Sequence, residues 1–131
     1  MADRVASGGT LIYAAAGSSG LMALADVCEL PATFGIPTNQ LRLHMAGGVP
    51  TDGHMPGQAE DGTAEADKIA DAITKNDCLI ALSASGSTPY PVAIAQKTAA
   101  RGAMVIGIAN NPDTPLLNAA DIAICIQTPP E

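Results

Sequence analysis

The sequence predicts an α/β domain built on a five-stranded parallel sheet with helices on both faces. Three observations carry the prediction. Strand-length apolar runs and helix-length segments alternate five times along the 131 residues. The runs are almost continuously apolar, as expected of strands buried on both sides. Hydrophobic residues make up 47% of the chain and aromatic residues only 2%, so the core must be aliphatic: alanine-rich helices packed on a Val/Ile sheet. The length is that of one domain, residues 1–131, and is enough to bury a core. Crossovers in such a sheet are right-handed, and ligands sit outside the carboxyl ends of the strands, where the strand order switches.

Taken in order, residues 1–9 read as the tail of a helix ending at Gly8-Gly9, as though the chain opened within a longer one. Thr10–Ala16 is the first strand, and Gly17-Ser18-Ser19-Gly20 a tight polar loop. Leu21–Leu30 is a helix ended by Pro31, and Gly35-Ile36-Pro37 forms the connection. Gln40–Ala46 is the second strand. Residues 47–62 hold five glycines and two prolines, an irregular stretch of the kind that is usually functional or mobile. Thr63–Lys75 is a helix with Ala66, Ile69, Ala70 and Ile73 on one face. The apolar run after Asp77 is the third strand. Pro89–Arg101 is a helix closed by Gly102, Ala103–Ile108 the fourth strand, and Asn110–Asp113 a turn. Thr114–Ala120 is a short helix and Asp121–Ile126 the last strand, after which Thr128–Glu131 trails off without structure.

The stretch Asp77–Tyr90 organises the chain. Its strand breaks into Ser83, Ser85, Ser87 and Thr88 around Gly86, and Thr88-Pro89 reads as an N-cap followed by proline in the first helical position. Free amides and the positive end of a helix dipole meet in such a loop and favour a phosphate. A plain capped strand-to-helix turn has the same composition. The loop at Ser18, Ser19 and Gly20 also leaves the carboxyl end of a strand, and two hydroxyl loops meeting there favour an anion or phosphosugar site. Neither strand is followed by G-x-G-x-x-G, and no G-x-x-x-x-G-K-[ST] occurs, which weighs against a dinucleotide or a P-loop nucleotide.

Six basic against thirteen acidic residues give a net charge of −7 with no basic cluster, so nucleic acid is not a predicted partner. No apolar run approaches spanning length, so no membrane partner is expected. The N-terminus has no signal-peptide core. Cys28, Cys78 and Cys125 are odd in number and widely spaced, which fits a reducing cytoplasm. His44 and His54 have no cysteine beside them, so no metal site is predicted. Both histidines and the cysteines read as structural, with His54, near Glu60 in sequence, a further candidate for touching a ligand.

Ser83-Ala84-Ser85-Gly86-Ser87-Thr88 resembles the phosphate loop of sugar isomerase (SIS) domains, S-x-S-G-x-T. Within that group, several segments fall in the order seen in N-acetylmuramic acid 6-phosphate etherases, relatives of the glucokinase regulatory proteins. These are Leu11-Ile12-Tyr13, Gly17–Gly20, Glu29–Gly35, Ala46-Gly47-Gly48, Ala59-Glu60-Asp61, Ser85–Tyr90, and Ile106-Gly107-Ile108 with Asn111-Pro112. The resemblance runs from about Gly8 to Glu131. It implies a doubly wound, flavodoxin-like parallel sheet that binds a phosphorylated amino sugar. Its etherases cleave the lactyl ether to N-acetylglucosamine 6-phosphate and D-lactate without metal or cofactor. One carboxylate removes the proton next to the sugar aldehyde, an acid helps lactate leave, and water adds at C3. The family's two acidic residues fall on Glu29 and Glu60. Such chemistry needs two carboxyl groups near one sugar.

The chain departs from the family where arginine is usual, at Leu21 and Ser87, and reads Glu29-Leu30-Pro31-Ala32-Thr33 for E-C-P-P-T. The family's flanking helical segments are not within these residues. A sheet without them exposes apolar surface, which predicts a homodimer or higher homo-oligomer. Three functions compete: an etherase-type lyase using Glu29 and Glu60, a non-catalytic phosphosugar-binding module using the same loops, and an aldose–ketose phosphosugar isomerase.

Overall fold

A computed structural model describes residues 1–55 and 58–128. The expectation for Pro129–Glu131, and that part of the 47–62 loop at residues 56–57, lie outside the described residues. The elements are α1 (Ala2–Ala6), β1 (Leu11–Ala15), α2 (Gly17–Phe34), β2 (Leu41–Met45), α3 (Ala66–Asp71), β3 (Cys78–Leu82), α4 (Pro89–Ala100), β4 (Met104–Ala109), α5 (Pro115–Ala119) and β5 (Ile122–Cys125). Single 3₁₀ turns stand at Thr38–Gln40 and Ala59–Asp61.

The five strands form one sheet in the order β2-β1-β3-β4-β5, every pair parallel. The chain moves outward from β1 to β2 and then crosses back to β3. The switch in direction therefore lies between β1 and β3. Alternation along the strands splits the core in two. Ile12, Ala14, Leu79, Ala81 and Val105 pack with Ile69, Tyr90, Ile94 and Leu116 on the side of α3, α4 and α5. Leu11, Tyr13, Ala15, Cys78, Ile80 and Ile106 pack with Ala23 and Leu30 of α2 on the other.

Cover on both faces holds for the central strands and fails at β5. Ile122, Ile124 and Ile126 are 44%, 40% and 53% exposed. Beside them an apolar groove of about 810 Å³ opens over Ile80, Ile106 and Ile108, with Leu30 and Phe34 of α2 at its wall. The long helix on this face, α2, packs mainly on β1 and β2, so the apolar run of β5 was legible but its cover was not.

Three helix ends differ from the sequence expectation. Gly17–Gly20 is the first turn of α2 rather than a loop, closed by the Gly20 N–H on the Ala16 carbonyl at 3.1 Å. A Cβ on Gly20 would stand 2.8 Å from Met45 Cγ, so this turn lies hard against β2. The helix also runs past Pro31 to Phe34. Proline there sits in the last turn and removes only one helical bond, while its carbonyl accepts the Gly35 N–H at 3.2 Å. By contrast α3 is shorter than expected. The Asp77 carboxylate accepts the Thr74 N–H and hydroxyl, both at 2.8 Å, and so draws that amide out of the helix. Ile73 nevertheless stays in the core at 6% exposure.

Candidate functional site

The loop after β3 is a cluster of hydroxyls. Ser83 Oγ lies 2.8 Å from Thr88 Oγ1 and 3.2 Å from Ser85 Oγ, and Ser85 Oγ lies 3.4 Å from Thr88 Oγ1. Ser87 donates its hydroxyl and its N–H to Ser85 Oγ at 3.1 and 3.2 Å. Ser83 is buried and accepts the Gly86 N–H on its Oγ at 3.0 Å, while Ser85 and Ser87 face solvent. Ser83 is thus the anchor, Ser85 and Ser87 are the hydroxyls presented outward, and Thr88 is half-buried between them.

Thr88 occupies the N-cap position of α4, but its side chain does not cap the helix. Its natural targets are the N–H groups of the first turn. Of the two amides a cap serves, Pro91 lacks its own and only that of Tyr90 remains, and the hydroxyl lies beside Ser83 instead. Gly86 holds the loop in place with φ +72°, and a Cβ there would lie 2.3 Å from Thr114 Oγ1. The Gly86 carbonyl accepts the Leu116 N–H of α5 at 3.0 Å, which ties the loop to that helix.

Across the β1/β3 crevice lies the first turn of α2. Ser18 is exposed, Ser19 half-buried and Gly20 buried. Ala16, at the N-cap, offers no side-chain cap, so α2 and α4 both bring uncapped N-termini to this edge. The two hydroxyl segments therefore leave the carboxyl ends of neighbouring parallel strands at the switch point.

The two glutamates part company. Glu60 stands on the Ala59–Asp61 turn, and a Cβ on Gly17 would come 3.9 Å from its Oε2, which puts the carboxylate at the head of α2. Glu29 lies twelve residues down the same helix, roughly 18 Å along its axis. There its carboxylate accepts the Thr33 hydroxyl. Both are exposed, and one chain does not bring them together. His54 is 93% exposed and pairs with Asp52 at 3.3 Å.

No lysine or arginine lies in the segments at this edge, residues 16–20, 46–65, 83–88 and 110–114. Arg4 donates to the Asp77 carbonyl at 3.2 Å, and Lys97 and Arg101 pair with Asp67 and Asp71 between α4 and α3. An anion here meets hydroxyls, amides and helix dipoles rather than cations. Among the described residues, no three His, Cys, Asp or Glu side chains cluster to hold a metal, and no helix is long and apolar enough to cross a membrane.

These features define a doubly wound α/β domain with a hydroxyl cluster at the carboxyl edge of its sheet, beside the switch point. A model of the SIS domain matches residues 54–131, more than half of the chain, and the chain belongs to the SIS domain family. It is 36% identical over 132 residues to the N-acetylmuramic acid 6-phosphate etherase of Symbiobacterium thermophilum, covering 100% of this chain and 44% of that protein. It is 39% identical over 126 residues to the enzyme of the same name from Deinococcus radiodurans, covering 95% of this chain and 41% of that one. The chain thus spans less than half the length of these relatives. Among solved structures, it resembles an E. coli CFT073 protein solved as a ligand complex, with a TM-score of 0.66 at 17% identity over 98% of this chain and 60% of that one. It also resembles the Vibrio vulnificus NanR protein complexed with ManNAc-6P, with a TM-score of 0.64 at 19% identity over 97% of this chain and 40% of that one. At such identities the likeness is one of fold.

Proposed function

We propose that this chain is the phosphosugar-binding domain of an N-acetylmuramic acid 6-phosphate etherase. The observation that carries the reading is the Ser83, Ser85, Ser87 and Thr88 hydroxyl cluster at the carboxyl end of β3, next to the strand that leads to the head of α2, where the Glu60 carboxylate stands. The names of the similar etherases supply the reaction. The phosphate is held by the hydroxyls of Ser85, Ser87 and Thr88 and by the α2 and α4 N-termini, with Ser18, Ser19 and Gly20 on the opposite side. Ser83 and Gly86 set the loop's shape.

Glu60 is the carboxylate placed to exchange a proton with a sugar held in this crevice. The elimination moves the proton beside the aldehyde to a carboxylate, expels lactate from C3 and adds water in its place. No cofactor enters that balance. Glu29, remote along α2, acts only in a site completed by another polypeptide segment. A second copy of this chain fits that requirement, because the open groove beside β5 leaves apolar surface to bury. The proposed compartment is the cytoplasm, consistent with three free cysteines.

A non-catalytic phosphosugar module is the second reading, favoured by the separation of Glu29 from Glu60 and by the lack of cations at the edge. One experiment divides them. The protein is mixed with N-acetylmuramic acid 6-phosphate and assayed for D-lactate release and, by calorimetry, for binding. Release that is abolished by Glu60→Gln, with binding retained, is the expected result. Binding without any release selects the module. Affinity unchanged in Ser85→Ala and Thr88→Ala would remove the phosphate from this loop.

A further inference from the structure

A cavity of about 500 Å³ lies at the carboxyl end of β2, lined by Leu43, His44, Gly47, Glu65 and Tyr90 among others. Its size is that of a small-molecule site. Tyr90 follows Thr88 by two residues, so the cavity and the hydroxyl loop share the first turn of α4.

The lining holds three polar groups that make no hydrogen bond to the protein among the described residues. His44 pairs in register with Ala14, which turns its half-buried imidazole toward the α4 side of the sheet. Tyr90 is only 4% exposed. Glu65 stands at the N-cap of α3 and caps nothing. Among the described residues, the His44 ring, the Glu65 carboxylate and the Tyr90 hydroxyl take part in no hydrogen bond. Glu65 is exposed, His44 half-buried and Tyr90 buried, so all three line the cavity with hydrogen-bonding capacity free for an occupant.

The charge of the lining narrows that occupant. Burial, with help from Arg42 and against the pull of Glu65, holds the His44 pKa below its ordinary 6.5, so the ring is neutral at neutral pH. Burial and then Glu65 raise the Tyr90 phenol above its ordinary value, so it stays protonated. The cavity therefore offers one carboxylate, one neutral imidazole, one phenol and no cation. A second anionic group is repelled, and hydroxyl or amide donors are matched.

We infer that this cavity binds the neutral, hydroxyl-bearing end of the ligand whose phosphate occupies the Ser83–Thr88 loop, with His44, Glu65 and Tyr90 as the residues that recognise the sugar. The inference rests on the phosphosugar reading above. It makes the sugar, rather than the phosphate, answerable to β2 and α3. It also excludes the cavity as the seat of a lactyl carboxylate.

The test compares inorganic phosphate with N-acetylglucosamine 6-phosphate, titrated against the full chain by NMR. Glu65→Gln and Tyr90→Phe keep size and packing, and His44→Leu removes the imidazole. Each is expected to cut the preference for the sugar phosphate over inorganic phosphate by roughly tenfold, the loss of about one hydrogen bond. Ser85→Ala is expected to weaken both ligands. If Ser85→Ala weakens both while all three cavity variants keep the wild-type preference, the inference is overturned and the phosphosugar reading stands. If the cavity variants weaken the sugar phosphate and Ser85→Ala weakens nothing, the cavity is kept as a sugar site and the loop loses its phosphate. If the wild-type chain binds neither ligand, both readings fall.

Discussion

Gly86 and Gly102 form a natural pair of experiments. Both have positive φ, +72° and +77°, so alanine at either position pays the same left-handed backbone penalty of roughly 1 kcal/mol. Their surroundings differ. At Gly102 a new Cβ meets nothing within 4 Å, whereas at Gly86 it lies 2.3 Å from Thr114 Oγ1 and 2.5 Å from Thr114 Cβ. Thr114 cannot easily withdraw. It is 7% exposed, it caps α5 through the Leu117 N–H, and the Gly86 carbonyl holds Leu116 next to it. Forcing a methyl group into such packing costs about 1–3 kcal/mol more. Gly102→Ala should therefore destabilise by about 1 kcal/mol, and Gly86→Ala by about 2–4 kcal/mol. Urea denaturation of both variants, read at the midpoint with the slope checked for constancy, measures the difference directly. Phosphosugar affinity should fall in Gly86→Ala and not in Gly102→Ala, which lies at the far end of α4. Equal destabilisation by the two substitutions would refute the argument, because it would mean that the loop and Thr114 separate without cost.

Other outcomes follow from the same geometry. Asp77 is desolvated by burial, yet the Thr10 N–H at 2.7 Å and the Thr74 N–H and hydroxyl at 2.8 Å outweigh that and hold its carboxyl below the ordinary 3.8. A depressed folded-state pKa gives stability that is present above the ordinary value and lost as pH falls through the folded one. Wild-type stability should thus decline in acid by a component absent from Asp77→Asn, a variant about 1–3 kcal/mol less stable at neutral pH; parallel acid-unfolding curves would count against it. Ile124→Lys places a charge in the open groove beside β5 and should lower the mass seen by sedimentation velocity if that face joins two copies. An unchanged oligomer would move the interface elsewhere.

The hydroxyl loop was legible in the sequence because its parts are contiguous: an apolar run, a glycine among serines, and Thr-Pro at the helix start. What Thr88 does was not legible. Capping is the default for that position; Pro91 removes one of the two amides a cap would serve, and the hydroxyl is found beside Ser83 instead. Gly17–Gly20 looked like a loop because glycine and serine are poor helix formers. Packing against Met45 favours a side-chain-free first turn instead. The cavity at His44 left no local trace, since its three polar groups come from three separate segments.

By itself, the sequence determined the five strands and their parallel class, which follow from local periodicity and chain order, and it pointed to the edge at which a ligand is proposed to sit. Only the tertiary structure decided which acid stands at that edge. Glu29 and Glu60 are equivalent as residues in a string. The straight run of α2 carries one of them roughly 18 Å away, while the Ala59–Asp61 turn sets the other at the head of the same helix. The uncovered β5 face is likewise a property of helix placement. An apolar strand records that it should be buried and not what will bury it.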